Sequence, residues 1–380
     1  MITNRLMETA PALLERWMRE YYFTTDIDIG SSGVESFSMA ELRKLLRITP
    51  DELDRIVFND SHTIGNPELR AALARRFGGG DPGRVMATQG SSEAIFLTMN
   101  ALLRTGDEVV VMDPSYQQLF AMAESLGCRL KHWPLRDERA FAPDIEELEG
   151  LISSHTRMIV VNFPHNPTGV TISREDQARL IEMAARVGAY LIWDGAFAEL
   201  TYDEPPLPDP SLYYERAISF GTLSKAYGLP GLRVGWCFAS PDILSRFAHL
   251  RDYTILHLSP LVEFIAQRAI ENAEMLLDIR LQQARANRRI LADWVEEQDE
   301  AVSWVSPRGG VCAFLRLNEV TDVEALCRHL ADVYNTLLVP GICFNRPRHV
   351  RLGFGCSTPR LEAGLSNLSI LLKARSRAAH

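Results

Sequence analysis

No cysteine pair in this chain has the C-x-x-C spacing of a metal or redox motif, and no internal repeat, low-complexity tract or long run of like charge interrupts it. The six cysteines (Cys128, Cys237, Cys312, Cys327, Cys343 and Cys356) stand in apolar or helical surroundings, which reads as reduced, buried thiols and predicts a cytoplasmic setting. The N-terminal stretch MITNRLMETAPALLERWMREYYF carries acids and lacks a continuous apolar core, so it reads neither as a signal peptide nor as a membrane span. A basic balance is missing too. With 40 Lys and Arg against 49 Asp and Glu, the formal charge is −9 and the pI near 5.6, which argues against a nucleic-acid partner and leaves room for a cationic small molecule.

What is present is 380 residues, 46% of them hydrophobic, enough to bury a large core with a smaller domain beside it. Short β-rich runs alternate with amphipathic stretches: MATQ before SSEAIFLTMNALL, EVVVMD before YQQLFAMAESLG, RMIVVNF before SREDQARLIEMAARVG, then AYLIWD and RAISF. This βα alternation predicts an α/β fold with a mainly parallel sheet, helices on both faces, and ligands gathered at the carboxyl ends of the strands. Beyond about Pro260 the pattern changes to a long helical region and then to short strands and helices. We therefore expect a large domain over residues 46–260, and a small domain made of residues 1–45 and 261–380.

The polar residues that carry chemistry fall at those strand ends. Asn166 lies in an HNPTG loop after RMIVVNF, Asp194 closes AYLIWD, and Lys225 follows RAISFGTLS. Each taken alone reads as a turn, a helix cap or a solvated loop residue, but three polar groups at consecutive strand ends can converge on one ligand. GSSEA, Gly90–Ala94, opens a helix whose backbone N–H groups and hydroxyls can hold a phosphate.

These motifs together resemble the fold-type I pyridoxal 5'-phosphate enzymes of the class I/II aminotransferase group, over nearly the whole chain. The resemblance implies that fold, with a seven-stranded type of sheet, and a homodimer with shared sites. It implies that Lys225 bonds the cofactor and moves protons, that Asp194 pairs with the pyridine nitrogen, and that Asn166 hydrogen-bonds the ring oxygen. Tyr116, in DPSYQQ, falls where the family stacks an aromatic on the ring. Ser91, Ser92, Thr222, Ser224 and Arg233 would hold the phosphate, and Arg351, in HVRLGFG, the substrate carboxylate.

Two departures separate the chain from ordinary transaminases of that group. DGAF puts Phe197 where the family usually has a tyrosine donating to the ring oxygen. In FNDSHTIGNPELR, the register of a tyrosine that reaches the neighbouring subunit's phosphate, counted from Gly65, lands on Asp60. With ERWMREYYF, DIGSSGVESFSMAELR and SFGTLSKAYGLPGLRVGWC, these features resemble the hydroxyarginine cyclodehydratases of the capreomycidine synthase type. That closer resemblance implies loss of water from 3-hydroxyarginine and ring closure by a guanidine nitrogen. Glu15, Thr24, Gly33, Asp60, Asn166 and Arg351 are then the expected substrate contacts, Asp60 the candidate acid, and Asp26 and Asp28 further carboxylates near the guanidinium. Asp60, with His257 or Ser259, is expected to reach a partner subunit's cofactor. Cyclisation of 4-hydroxyarginine to enduracididine by γ-elimination, transamination of a basic or aromatic amino acid, and a binding protein without catalysis are the alternatives. No metal site is expected.

Overall fold

The computed structural model describes residues 9–379, so residues 1–8 of the N-terminal segment and His380 lie outside the described residues. Thirteen strands follow in order: β1 (Ile27–Asp28), β2 (Val85–Thr88), β3 (Glu108–Asp113), β4 (Arg129–Pro134), β5 (Thr156–Asn162), β6 (Tyr190–Asp194), β7 (Ala217–Thr222), β8 (Gly235–Phe238), β9 (Val302–Ser303), β10 (Cys312–Leu317), β11 (Thr336–Leu337), β12 (Val339–Pro340) and β13 (His349–Gly353). Seven of them form one sheet in the order β2-β8-β7-β6-β5-β3-β4, parallel throughout except for β8, which runs against both neighbours.

The central strands read as near-continuous apolar runs, Glu108–Asp113 as EVVVMD and Thr156–Asn162 as TRMIVVN. They are buried on both faces, as strands sandwiched between helix layers must be. Helix ends follow from local chemistry. Ser173 Oγ accepts the Asp176 N–H at 3.0 Å to start the helix Arg174–Val187, and Gly188, at φ +69°, closes it in the left-handed conformation. The long helical region after Pro260 is divided into Pro260–Glu271 and Ala273–Glu297 at Asn272, whose backbone leaves helical geometry and whose amide donates to the Arg268 carbonyl. Two strands escape the sequence pattern: β4 is a half-exposed edge with mixed polarity, and β8 is only four residues long.

A second, four-stranded sheet, β12-β13-β10-β9, is antiparallel, with Phe314 opposite Arg351 on β10 and β13. The N-terminal segment joins this part of the chain through β1, which pairs in parallel with β11. Among the described residues no helix is long and apolar enough to cross a membrane.

One buried ion pair braces the entry to the helix Gly90–Leu102. Arg251 has no exposed side-chain surface; its Nε lies 3.0 Å from Glu93 Oε1, and Nη1 donates to the Ala87 carbonyl at 2.8 Å and to the Thr63 carbonyl. Removing one partner strands a buried charge, whereas replacing both does not. Arg251→Met is therefore expected to lower stability by about 3–5 kcal/mol in urea unfolding, and Arg251→Met combined with Glu93→Leu to recover most of that loss. A shift below about 1 kcal/mol for the single change would show the pair to be effectively solvated.

Candidate active site

Adjacent strands deliver the central groups. On β5 and β6, Asn162 and Asp194 are direct Cα partners, and Asp194 is opposite Phe220 on β7, two residues before Thr222. All three strands end at the same edge, so Asn166, Asp194 and Lys225 reach one cavity of about 720 Å³. Ser91, Ser92, Tyr116, Phe197, Thr222, Ser224, Arg233, Arg351, Glu15 and Gly33 line it as well.

At one end the cavity is built for an anion. Strand β8 begins at Gly235, between Thr88 and Thr222, and a Cβ there would come within 2.7 Å of the Ser91 nitrogen. Gly90, at φ +70°, likewise leaves room for Arg233, whose Nη2 would be 2.5 Å from a Cβ at that position. Glycine at both positions lets the helix N-terminus and the guanidinium close on the same space. Arg233 itself is held in the left-handed region, at φ +52°, with Nη1 donating to the Pro230 carbonyl at 3.1 Å and to Ser224 Oγ at 3.3 Å. Together, the free N–H groups of the first helical turn, the hydroxyls of Ser91, Ser92 and Ser224, and this cation can cradle a phosphate.

In the middle of the cavity the charges are desolvated. Asp194 is 5% exposed; burial pushes its carboxyl up to about 6, against the opposing pull of the Ala196 N–H (2.9 Å) and Lys225. Burial, and then the nearby Arg351 cation, depress the Lys225 ammonium below the ordinary lysine range. Lys225 Nζ donates to Ser32 Oγ at 2.9 Å, and the Phe197 ring centroid is 5.8 Å away. A carboxylate here can hold a protonated ring nitrogen, and an amine of lowered basicity can serve as nucleophile and proton carrier.

At the far end Arg351, 1% exposed, donates from Nη2 to the Gly30 carbonyl (2.9 Å) and from Nη1 to Asn166 Oδ1 (3.3 Å), and its Nε has no protein partner. The helix Leu13–Tyr21 brings Glu15 over the cavity, where Tyr116 donates its hydroxyl to Glu15 Oε1 at 2.5 Å. Burial, with Glu15 alongside, pushes the Tyr116 phenol well above its ordinary range, so it stays protonated as a donor. The other oxygen, Glu15 Oε2, is buried without a partner.

Other expected residues are placed differently. Asp28 lines the cavity, but its carboxylate accepts the Gly30 N–H (2.8 Å), the Ser31 N–H (2.9 Å) and the Ser31 hydroxyl (2.5 Å), which uses it to shape a turn. Asp26 accepts from Asn335 Nδ2 at 2.6 Å, and Thr24 Oγ1 donates to the carbonyls of Glu20 and Tyr21. Asp60 stands on an exposed surface with its side chain 99% accessible, 3.1 Å from His257 Nε2, and does not line the cavity within one protomer. The Leu258 carbonyl and then Asp60 raise the His257 imidazole above its usual range. Ser259 precedes the helix Pro260–Glu271.

Sequence reasoning missed two participants. Asn162 accepts the Asn166 N–H at 2.7 Å and donates to the Asp194 carbonyl at 2.9 Å, tying two strand ends together. Its position at the end of RMIVVN was a legible signal, since a polar residue closing a buried strand is itself a strand-end group. Ser32 carries no such mark, because its contact with Lys225 spans 193 positions.

The raised Asp194 carboxyl has a thermodynamic consequence in the cofactor-free protein. Between about pH 4, where an unfolded aspartate loses its proton, and about pH 6, the folded state holds one proton that the unfolded state has released, so stability falls as pH rises. Asp194→Asn is expected to remove this fall, worth about 3 kcal/mol, from the pH dependence of apoprotein urea unfolding. Parallel profiles for the two proteins would contradict it.

Residues 40–368 match the family model for aminotransferase class I and II. Capreomycidine synthase from Streptomyces vinaceus is 46% identical over 368 residues, covering 96% of this chain and 95% of that one. An aspartate aminotransferase from Thermotoga maritima is 27% identical over 81% of this chain and 82% of its own. Among solved structures, the PLP-dependent cyclase OrfR superposes with a TM-score of 0.93 at 43% identity, over 98% of this chain and all of that one. The cofactor these relationships imply is pyridoxal 5'-phosphate, and the residues present fit it: an anion cradle at a helix start, a buried carboxylate and a buried lysine on one cavity. With that match spanning most of its length, the chain belongs to the aminotransferase class I and II family and has its fold-type I architecture.

Proposed function

We propose that the protein is a PLP-dependent cyclodehydratase that removes water from 3-hydroxy-L-arginine and closes a six-membered ring through a terminal guanidine nitrogen, giving capreomycidine. The observation that carries this reading is a cavity that presents opposite charges away from the anion cradle: Arg351 for a carboxylate, and Glu15 with one buried oxygen free for a cation. An unpartnered buried carboxylate oxygen is costly unless a ligand completes it, and a guanidinium offers paired donors. The 46% identity to a capreomycidine synthase supports the same assignment.

In this reading Ser91, Ser92, Thr222, Ser224 and Arg233 hold the cofactor phosphate, Asp194 its pyridine nitrogen and Asn166 its ring oxygen, with Tyr116 against the ring. Phe197 contributes no hydrogen bond there. Bound pyridoxal phosphate supplies a sink for the electrons released when the α-proton leaves. Arg351 fixes the substrate carboxylate, the two N–H groups it already spends on Gly30 and Asn166 setting its plane. Lys225, with its ammonium destabilised by burial, takes the α-proton and later returns one. Asn162 keeps Asn166 and Asp194 in register.

The test is incubation with 3-hydroxyarginine and, separately, 4-hydroxyarginine, with mass analysis for loss of water in the absence of any 2-oxoacid. A product from the 4-hydroxy isomer alone would move the assignment to enduracididine formation, and amino transfer to an added oxoacid would move it to a transaminase. Glu15→Gln keeps the shape and removes the charge. Hydrogen bonds to charged groups contribute about 1.5–3 kcal/mol, so kcat/KM for hydroxyarginine is expected to fall roughly tenfold to a hundredfold, with the cofactor still bound.

We also infer a homodimer in which Asp60, with His257 and Ser259, reaches the partner's site. The exposed Asp60–His257 pair lies on a chain segment that also carries exposed Val57 and Phe58, with Tyr253 and Leu256 exposed near His257, an apolar setting suited to a subunit interface. Mixed dimers test it. If Asp60 acts across the two-fold, combining Asp60→Asn with Lys225→Ala subunits restores one complete site and recovers activity beyond either parent. If hybrids are no more active than the parents, Asp60 serves only its own subunit's surface.

A further inference from the structure

The cavity hydroxyl nearest the working amine has no role in the account above. Ser32 Oγ accepts from Lys225 Nζ at 2.9 Å, and Ser32 is 7% exposed. The loop that carries it is fixed from both sides. Asp28 organises the turn through Gly30 and Ser31; the Gly30 carbonyl accepts from Arg351; and the Val34 N–H donates to the Lys225 carbonyl at 3.1 Å. Gly33 has no side chain because a Cβ there would lie 3.0 Å from the Ser224 carbonyl, so the loop can press against the Lys225 turn. Ser32 therefore sits between the group that holds the substrate carboxylate and the group that acts on the α-carbon.

Other hydroxyls facing this space are already committed. Tyr116 donates to Glu15, Ser31 to Asp28, and Thr222 lies 3.0 Å from Ser224 Oγ and 3.2 Å from the Val234 carbonyl. Elimination of a β-hydroxyl needs an acid next to the base, because the departing oxygen is on the carbon bonded to the one that loses its proton.

We propose that Ser32 is a catalytic residue, the hydroxyl through which Lys225 delivers a proton to the substrate's departing oxygen. The proposal rests on the hydroxyarginine reading. Lys225 Nζ takes the α-proton and becomes an ammonium. The ammonium gives a proton to Ser32 Oγ as the Ser32 hydroxyl proton passes to the β-oxygen. The carbon–oxygen bond breaks with its electron pair on oxygen, which leaves as water, and the pair from the α-carbon–hydrogen bond forms the α,β double bond. Lys225 is then a neutral amine and Ser32 a hydroxyl again. When the guanidine nitrogen bonds to the β-carbon, the displaced π pair goes to the α-carbon, and the proton lost by nitrogen returns there over the same two groups.

The test separates proton removal from dehydration. L-arginine, which has no hydroxyl to lose, and 3-hydroxyarginine are each incubated in D2O with the holoenzyme. Ser32→Ala is expected to exchange the α-proton of L-arginine for deuterium as the wild type does, while cyclised product from 3-hydroxyarginine falls about 10²–10⁴-fold. Ser32→Thr, which keeps the hydroxyl, restores cyclisation. In the cofactor-free protein, acetic anhydride labelling should find Lys225 of Ser32→Ala reactive at lower pH, because an acceptor of its ammonium proton is gone. Loss of exchange and cyclisation in equal measure would make Ser32 a positioning residue and overturn the relay. Normal cyclisation by Ser32→Ala would overturn it as well. If the wild type itself forms no product from 3-hydroxyarginine, the functional reading fails and takes the relay with it.

Discussion

An amine, a carboxylate and a guanidinium share one cavity from which folding has removed most of the water, and none of the three would be stable there alone. Burial works against two of these charges: it raises the Asp194 carboxyl and lowers the Lys225 ammonium. Arg351 adds to the pressure on Lys225, whereas Asp194 relieves it. The result is a carboxyl and an amine whose burial moves each toward its neutral form, a condition that suits proton transfer. The architecture serves this balance. Parallel strands ending together bring Asp194 and Lys225 close, β13 of the second sheet supplies Arg351, and the packed layers on both faces of the large sheet exclude solvent.

The same cavity shows how carboxylates of one sequence region can have different fates. Asp28 and Glu15 both lie in the N-terminal segment and both line the site. Asp28 spends its oxygens on two backbone N–H groups and a hydroxyl, and is a builder of the loop. Glu15 meets one phenol and keeps an oxygen free. Only the second is in a position to greet a cation, and the difference lies wholly in local hydrogen-bonding demand.

Much of the fold was legible because its signals are local. Apolar runs such as EVVVMD and TRMIVVN, each followed by an amphipathic stretch, announce buried parallel strands and their crossovers, and polar residues at or just past strand ends, Asn166, Asp194, Thr222 and Lys225, announce the candidate site. What escaped depends on distant partners. The edge strand Arg129–Pro134 has mixed polarity because one side meets solvent, and Gly235–Phe238 is strand only by virtue of its two antiparallel neighbours. Ser32 acquires meaning only when the fold sets it against Lys225, and the saturation of Asp28 is a matter of backbone direction that composition does not encode.

The helix Leu13–Tyr21 is packed onto the rest of the molecule at several points: Leu14, Trp17 and Tyr21 are buried, Trp17 Nε1 donates to the Leu338 carbonyl, the Leu13 N–H donates to Gln117 Oε1, and Arg328 donates to Glu20 and to the Tyr21 hydroxyl. The seven-stranded sheet, the anion cradle and Lys225 are complete without it. The wall that carries Glu15 is thus a separate element from the strand ends that present Asp194 and Lys225. Such an arrangement lets selection rewrite substrate choice by altering a single helix, while the costly buried charges beneath are inherited intact.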